Sequence, residues 1–245
     1  MGFFGALVGG FVAALGAIGS AISGIASAVA GSGIFSGIAS FAANLASKIG
    51  IGSLPLLILT IVDVVTRVAE LLGIRKQDDV PMDELAYRAE VSDKKPEDFD
   101  SINEYIDFLN NEIELTPEQR KRFENLTEDE KIAYKTVGSA MQIKAIDEKY
   151  NITTSEAFWK DVAEMKIKAD EVNGYLKAMS ETNIKESESI TNYLKGNSIN
   201  ENRNTVAETV KTGLKYSYPE LSTDEEVEEK LAEIRQNIDN KTAEQ

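Results

Sequence analysis

The first 47 residues of this chain, Met1 to Ser47, contain no ionisable side chain. A helix that borders water normally carries a polar face, so a neutral stretch of this length has to be covered by lipid, by other protein or by copies of itself. Twelve of the 17 glycines fall in residues 1–54. In a water-exposed helix each of them costs about 1 kcal/mol relative to alanine, a cost offset only where the missing side chain lets another backbone come close. The spacing fits that use. Gly5, Gly9 and Ala13 recur every four residues, and so do Gly16, Ser20, Gly24, Ala28, Ser32 and Ser36. These positions form a candidate helix-packing groove, a glycine zipper, with Leu7, Phe11, Leu15, Ile18, Ile22, Ile25 and Val29 supplying apolar surface between them.

Breaks at Gly31-Ser32-Gly33 and at residues 49–55 divide the apolar region into expected helices over 3–30, 34–48 and 55–73. The first would be roughly 40 Å long, enough to cross a bilayer core. The third carries Asp63 and Arg67 one turn apart, where they can pair. Inside a membrane such a pair would mark an ion path, because buried charge is costly there; nearby Glu70, Arg75 and Lys76 favour instead a solvated helix end at an interface. Residues 1–76 are therefore read as an apolar membrane-active module. The four charges of residues 1–74, Lys48, Asp63, Arg67 and Glu70, cancel, so the whole formal charge of −15 lies in residues 75–245.

Residues 77–98, with Pro81, Pro96 and the run Ser92-Asp93-Lys94-Lys95, read as a polar linker. Beyond them, 99–245 reads as an acidic helical domain for anchoring and oligomerisation. Helix starts are marked by Thr116-Pro117-Glu118-Gln119, Thr127-Glu128-Asp129-Glu130, Thr153-Thr154-Ser155-Glu156 and Ser222-Thr223-Asp224-Glu225, each shaped like a capping box. Phe158, Val162, Met165, Ala169, Val172, Leu176 and Met179 follow a 4-3-4-3-4-3 spacing, the 3.5-residue repeat of a coiled coil or a long helix pair. Val227, Leu231, Ile234 and Ile238 make a shorter seam. The fold class expected is all-α: glycine-zipper helices followed by an acidic bundle or coiled-coil-like region.

Histidine and cysteine are absent, which removes the usual zinc sites, thiol nucleophiles and imidazole bases. No phosphate-binding glycine loop or nucleophile elbow is present, and no carboxylate pair stands out as an acid–base couple. No catalytic residue, metal or cofactor is expected, and the chain is not read as an enzyme. The acidic balance argues against direct nucleic-acid binding. No Lys or Arg precedes the apolar stretch, which is also too long for the core of a cleavable signal peptide. Gly2 lacks the Ser or Thr at position 6 that accompanies myristoylation.

The opening Met1-Gly2-Phe3-Phe4-Gly5-Ala6-Leu7-Val8-Gly9-Gly10, running into an Ala/Gly/Ser/Ile stretch, resembles the minor capsid proteins of polyomaviruses and the DNA pilot proteins of microviruses. It is similar as well to glycine-zipper toxins delivered by bacterial secretion systems. The resemblance is one of composition over residues 1–50 and transfers no single residue's role. It implies a membrane-penetration or genome-ejection component of a virus or phage, inserting residues 3–72 into a bilayer. The alternatives are a pore-forming toxin or secreted effector, and a structural protein whose apolar part is buried in an assembly. The partners implied are a lipid bilayer, further copies of the chain, and a virion or secretion-apparatus protein. The location implied is a membrane reached after delivery, from a particle or by secretion.

Overall fold

The computed structural model describes residues 19–26, 28, 40–42, 44, 45 and 54–243. Among them are helices and turns and no strand, so the chain is all-α. From residue 54 onward the helices are α1 Leu54–Leu71, α2 Met82–Val91, α3 Ile102–Asn111, α4 Pro117–Glu124, α5 Glu128–Tyr150, α6 Glu156–Met165, α7 Ala169–Glu181, α8 Glu188–Leu194, α9 Arg203–Ser217 and α10 Asp224–Ala243, with a short 3-10 turn at Pro96–Asp98.

Helix α5 is the axis. Ala133, Val137, Met141, Ala140, Ile143, Thr136, Gln142 and Ile146 are all buried, and at about 100° per residue they cover most of its circumference. It starts in a reciprocal capping box, Thr127 with Glu130, and ends at Asn151 in the left-handed conformation, φ 53°, which asparagine tolerates better than most residues. Helices α1, α2 and α3 pack around it; α7 pairs closely with α9, and α8 and α10 close the far side over α6 and α9.

The cap signals resolve one by one. The Thr116–Gln119 and Thr127–Glu130 boxes form as read. At the third, Ser155 caps α6 by accepting from the Phe158 amide, because Thr154 is engaged elsewhere. At the fourth, Glu226 reaches back to the Thr223 and Ser222 amides and hydroxyls. Those four bonds hold the Glu226 carboxyl down to about 2.

Three features differ from the sequence reading. First, α1 belongs to the body. Leu57, Ile58, Ile61, Val64, Val65, Val68 and Ala69 are buried, and the helix packs on α5, α6 and α7. It stops where Gly73, at φ 67°, lets the Ile74 amide reach the Ala69 carbonyl at 2.9 Å, a glycine C-terminal cap. Second, residues 77–98 contain α2, with Leu85, Ala86, Tyr87 and Ala89 fully buried. Arg88 binds Glu84 at 2.8 Å and donates to the Leu109 and Asn110 carbonyls at the end of α3, so the polar composition of this stretch reflects an internal tie rather than a linker. Third, the 158–179 seam is buried throughout but lies on two helices. Lys166 adopts φ 53°, the Ile167 amide turns back to the Val162 carbonyl at 3.0 Å, and α7 begins afresh at Ala169. The regular spacing crosses this turn, so no continuous coiled coil forms there.

Two crossings depend on glycine. A Cβ on Gly138 of α5 would overlap the Met82 carbonyl of α2, and one on Gly174 of α7 would overlap the Gly213 carbonyl of α9. Backbone cannot yield as a flexible side chain would, so an added methyl forces helices apart at a typical cost of 1–3 kcal/mol. Gly174→Ala should therefore lower stability by ~2 kcal/mol in urea melts, although alanine is the better helix former. Gly24→Ala, where the added Cβ meets open space, should be neutral or slightly stabilising. Equal stability of Gly174→Ala and the parent would show that α7 and α9 do not cross so closely.

Candidate membrane-active segment

The described parts of the uncharged stretch are two short helical pieces, residues 19–26 with 28 and residues 40–42 with 44 and 45. In the first, Ile22, Ile25 and Ala26 are buried while Ser20 and Gly24 face outward. In the second, Phe41, Ala42 and Leu45 are buried and Ser40 is exposed. The apolar side thus belongs to the same hydrophobic core as the body, and the side bearing Ser20 and Gly24 is left open.

Polar side chains of the body reach both pieces. The Lys95 ammonium donates to the Ala28 carbonyl at 3.0 Å. The Lys144 ammonium lies 4.8 Å from the centre of the Phe41 ring, within cation–π range. Asn44 donates its amide to the Glu156 carboxylate at 3.2 Å. Lys144 is in turn 3.4 Å from Asp147, the anchor of the loop that follows α5. Asp147 accepts from the Thr154 amide at 3.2 Å and from its hydroxyl at 2.8 Å. The Thr154 hydroxyl accepts from the Trp159 indole N–H at 2.8 Å. Burial pushes the Asp147 carboxyl up to about 6, against the pull of Lys144 and Thr154 in the other direction. A shallow groove lined by Phe41, Lys144, Thr154, Ser155, Glu156 and Lys185 runs along this junction.

Of the groove residues read from sequence, Ser20 and Gly24 are exposed, and the Cβ direction of Gly24 is empty; Ala28 is half-buried and contributes its carbonyl to Lys95. Gly5, Gly9, Ala13, Gly16, Ser32 and Ser36 lie outside the described residues. Asp63 and Arg67 do pair, at 3.3 Å, with side chains 66% and 65% exposed. They sit on the outer side of α1 with Glu70, which is the solvated placement. Among the described residues no helix is long and apolar enough to cross a membrane, and no acidic cluster there could hold a metal ion. The seam residues Phe158, Val162, Met165, Ala169, Val172, Leu176 and Met179 are core of the body, in the same hydrophobic cluster as Ile22 and Phe41. No family model, curated protein or solved structure matches the chain.

The sequence marks Lys95 only as part of a polar stretch and Glu156 only as part of a helix start, and it does not mark Lys144 or Asp147, because charged residues abound in residues 75–245. One signal was available. Asn44 is the sole Asn or Gln in the first 47 residues, so it is the one amide side chain there able to bond a carboxylate such as Glu156, and it does so at an exposed position.

The raised Asp147 carboxyl makes a pH prediction. Its folded value of about 6 exceeds the ordinary 3.8, so its contribution to stability is fully present below 3.8 and is lost as the pH rises through about 6. Asp147→Asn keeps an acceptor for Thr154 without the charge. Relative to the parent, the variant should gain ~2 kcal/mol between pH 4 and pH 7 in urea melts. Parallel stability–pH curves for the two proteins would contradict the assigned ionisation.

Proposed function

We propose that this chain is a membrane-active protein in which an acidic all-α body carries an uncharged glycine-zipper segment to a lipid bilayer. The observation that carries the reading is the 47-residue stretch without an ionisable side chain, whose described pieces bury one apolar side and leave small residues on the other. The inserting region is residues 1–47 and excludes α1, since α1 is committed to the core and carries Asp63, Arg67 and Glu70. Of the settings in which such a segment works, penetration or genome ejection by a virus or phage particle fits the resemblance of residues 1–50 best. A secreted pore-former would use the same chemistry. In the bilayer, small residues at Ser20, Gly24 and Ala28 would let helices of neighbouring copies approach closely.

Lipid contact should not depend on anionic headgroups, because the segment has no positive charge and the body has formal charge −15. The test exploits the outward side of the docked segment. Ser20→Asp with Gly24→Asp places two carboxylates where water already reaches, so the folded body should melt unchanged. Within hydrocarbon each carboxylate costs about 3 kcal/mol. The full-length parent should float with phosphatidylcholine liposomes, and the double variant should lose at least ten-fold in the floated fraction. Equal flotation of both, or of neither, would sink the membrane reading and leave burial within a protein assembly.

A further inference from the structure

We propose that Lys95, Lys144 and Glu156 form an autoinhibitory clip that keeps the uncharged segment seated on the body, and that opening this clip is the step that frees the segment for lipid. The proposal rests on the membrane reading above and adds its regulation.

The argument begins with what apolar burial cannot do. Ile22, Ile25, Ala26, Phe41, Ala42 and Leu45 are buried on the body, and they would be buried equally well among lipid tails, which are as apolar as leucine side chains. Removal from water therefore does not decide between the two seats. The contacts that exist on the body and have no counterpart in hydrocarbon do decide. Among those on the described pieces are the Lys95 bond to the Ala28 carbonyl, the Lys144 ammonium on the Phe41 ring and the Glu156 carboxylate on the Asn44 amide.

Their origin makes them a device rather than three chance contacts. Lys95 precedes the 3-10 turn, Lys144 lies on α5 and Glu156 opens α6, so three separate parts of the body grip both pieces of the segment. Two of the grips share one anchor. Asp147 holds Lys144 at 3.4 Å and fixes Thr154, two residues before Glu156. The Trp159 indole locks Thr154 from the other side. Each grip is a single hydrogen bond or ring contact at a partly exposed position, weak alone and broken without unfolding the body.

The chain contains no cysteine, so Ala42→Cys puts a single thiol at a fully buried position of the seat. Its labelling rate by a water-soluble maleimide, without lipid, reports undocking directly. Adding Lys95→Ala, Lys144→Ala and Glu156→Gln should speed labelling at least ten-fold and raise flotation with phosphatidylcholine vesicles by a similar factor. Lys121→Ala, Lys149→Ala and Glu118→Gln, which make the same charge change at exposed sites that supply none of the three grips, should alter neither. If the triple clip variant loses its helical circular dichroism, Lys95→Met carries the test, with labelling two- to five-fold faster. Labelling that is already fast in Ala42→Cys alone, or unchanged by the clip substitutions, overturns the clip whatever the vesicles do. Faster labelling with no gain in flotation overturns release to lipid, and with it the membrane reading, while the docking contacts stand.

Discussion

The burial of α5 on nearly every side is the constraint on which the rest of the body depends. A helix with so little exposed circumference has to be surrounded, and its residue sizes determine how closely. Gly138 admits the backbone of α2, and Ala133, Ala140 and Ala145 are buried beside it. Larger side chains come from the neighbours: Tyr87 of α2 meets Tyr134 edge-on at 5.5 Å between ring centres, and α1 brings a continuous row of Ile, Val and Leu. Helices that surround a common axis must themselves be wet on the far side, and α1 shows this most clearly. Its outer side carries Asp63, Arg67 and Glu70, with Leu56 left 68% exposed. The same arrangement explains why an acidic chain tolerates its charge: the carboxylates lie mostly on these outer faces, where water screens them.

What the sequence makes legible follows the range of the interaction behind it. Capping is a matter of four neighbouring residues, so Thr116 and Thr127 announce α4 and α5 correctly. The end of α6 is less visible, because Lys166 occupies a left-handed conformation that glycine or asparagine would have signalled. The heptad spacing runs through that turn unbroken, since spacing records which residues are buried and not whether the chain stays helical between them. α1 was misplaced for a different reason. Its average hydropathy matches that of the stretch before it, yet Asp63, Arg67 and Glu70 fall at i, i+4 and i+7 and share one face. That narrow polar stripe marks a helix half-covered by protein. For α2 the tie is nonlocal: Arg88 reaches the Leu109 and Asn110 carbonyls, and nothing near Arg88 in the chain points to them.

Buried polar groups separate two parts of the body. Around Asp147 almost every donor and acceptor is matched, from Thr154 to Trp159 and Lys144. On α5 itself, the Ser139 hydroxyl and both ends of the Gln142 amide are buried with no partner among the described residues. An unmatched buried polar group costs about 1–3 kcal/mol, so this stretch of the axis holds less stability than its burial suggests. The loop that leads to Glu156 is thus better fixed than the centre of the helix before it. On the reading proposed here, the well-matched region is the one that faces the docked segment.

The distribution of charge gives that arrangement a direction. With −15 confined to residues 75–245, bodies repel one another and any anionic surface within a Debye length, about 8 Å at physiological salt. Attraction has to come from the part of the chain that carries no charge. The described pieces, 19–26 with 28 and 40–42 with 44 and 45, turn Ile22, Ile25, Ala26, Phe41, Ala42 and Leu45 inward and Ser20, Gly24 and Ser40 outward, with open space where a Cβ on Gly19 or Gly24 would stand. In these pieces the buried apolar side chains are covered by the body while Ser20 and Gly24 stay bare. A bare stripe of Gly and Ser is only weakly adhesive in water, because association there draws on buried apolar area. In hydrocarbon that area term vanishes for every helix, and close backbone approach becomes the main source of association. On the membrane reading proposed here, the same stripe would be inert on the body and adhesive in a bilayer, so self-association would follow insertion rather than precede it.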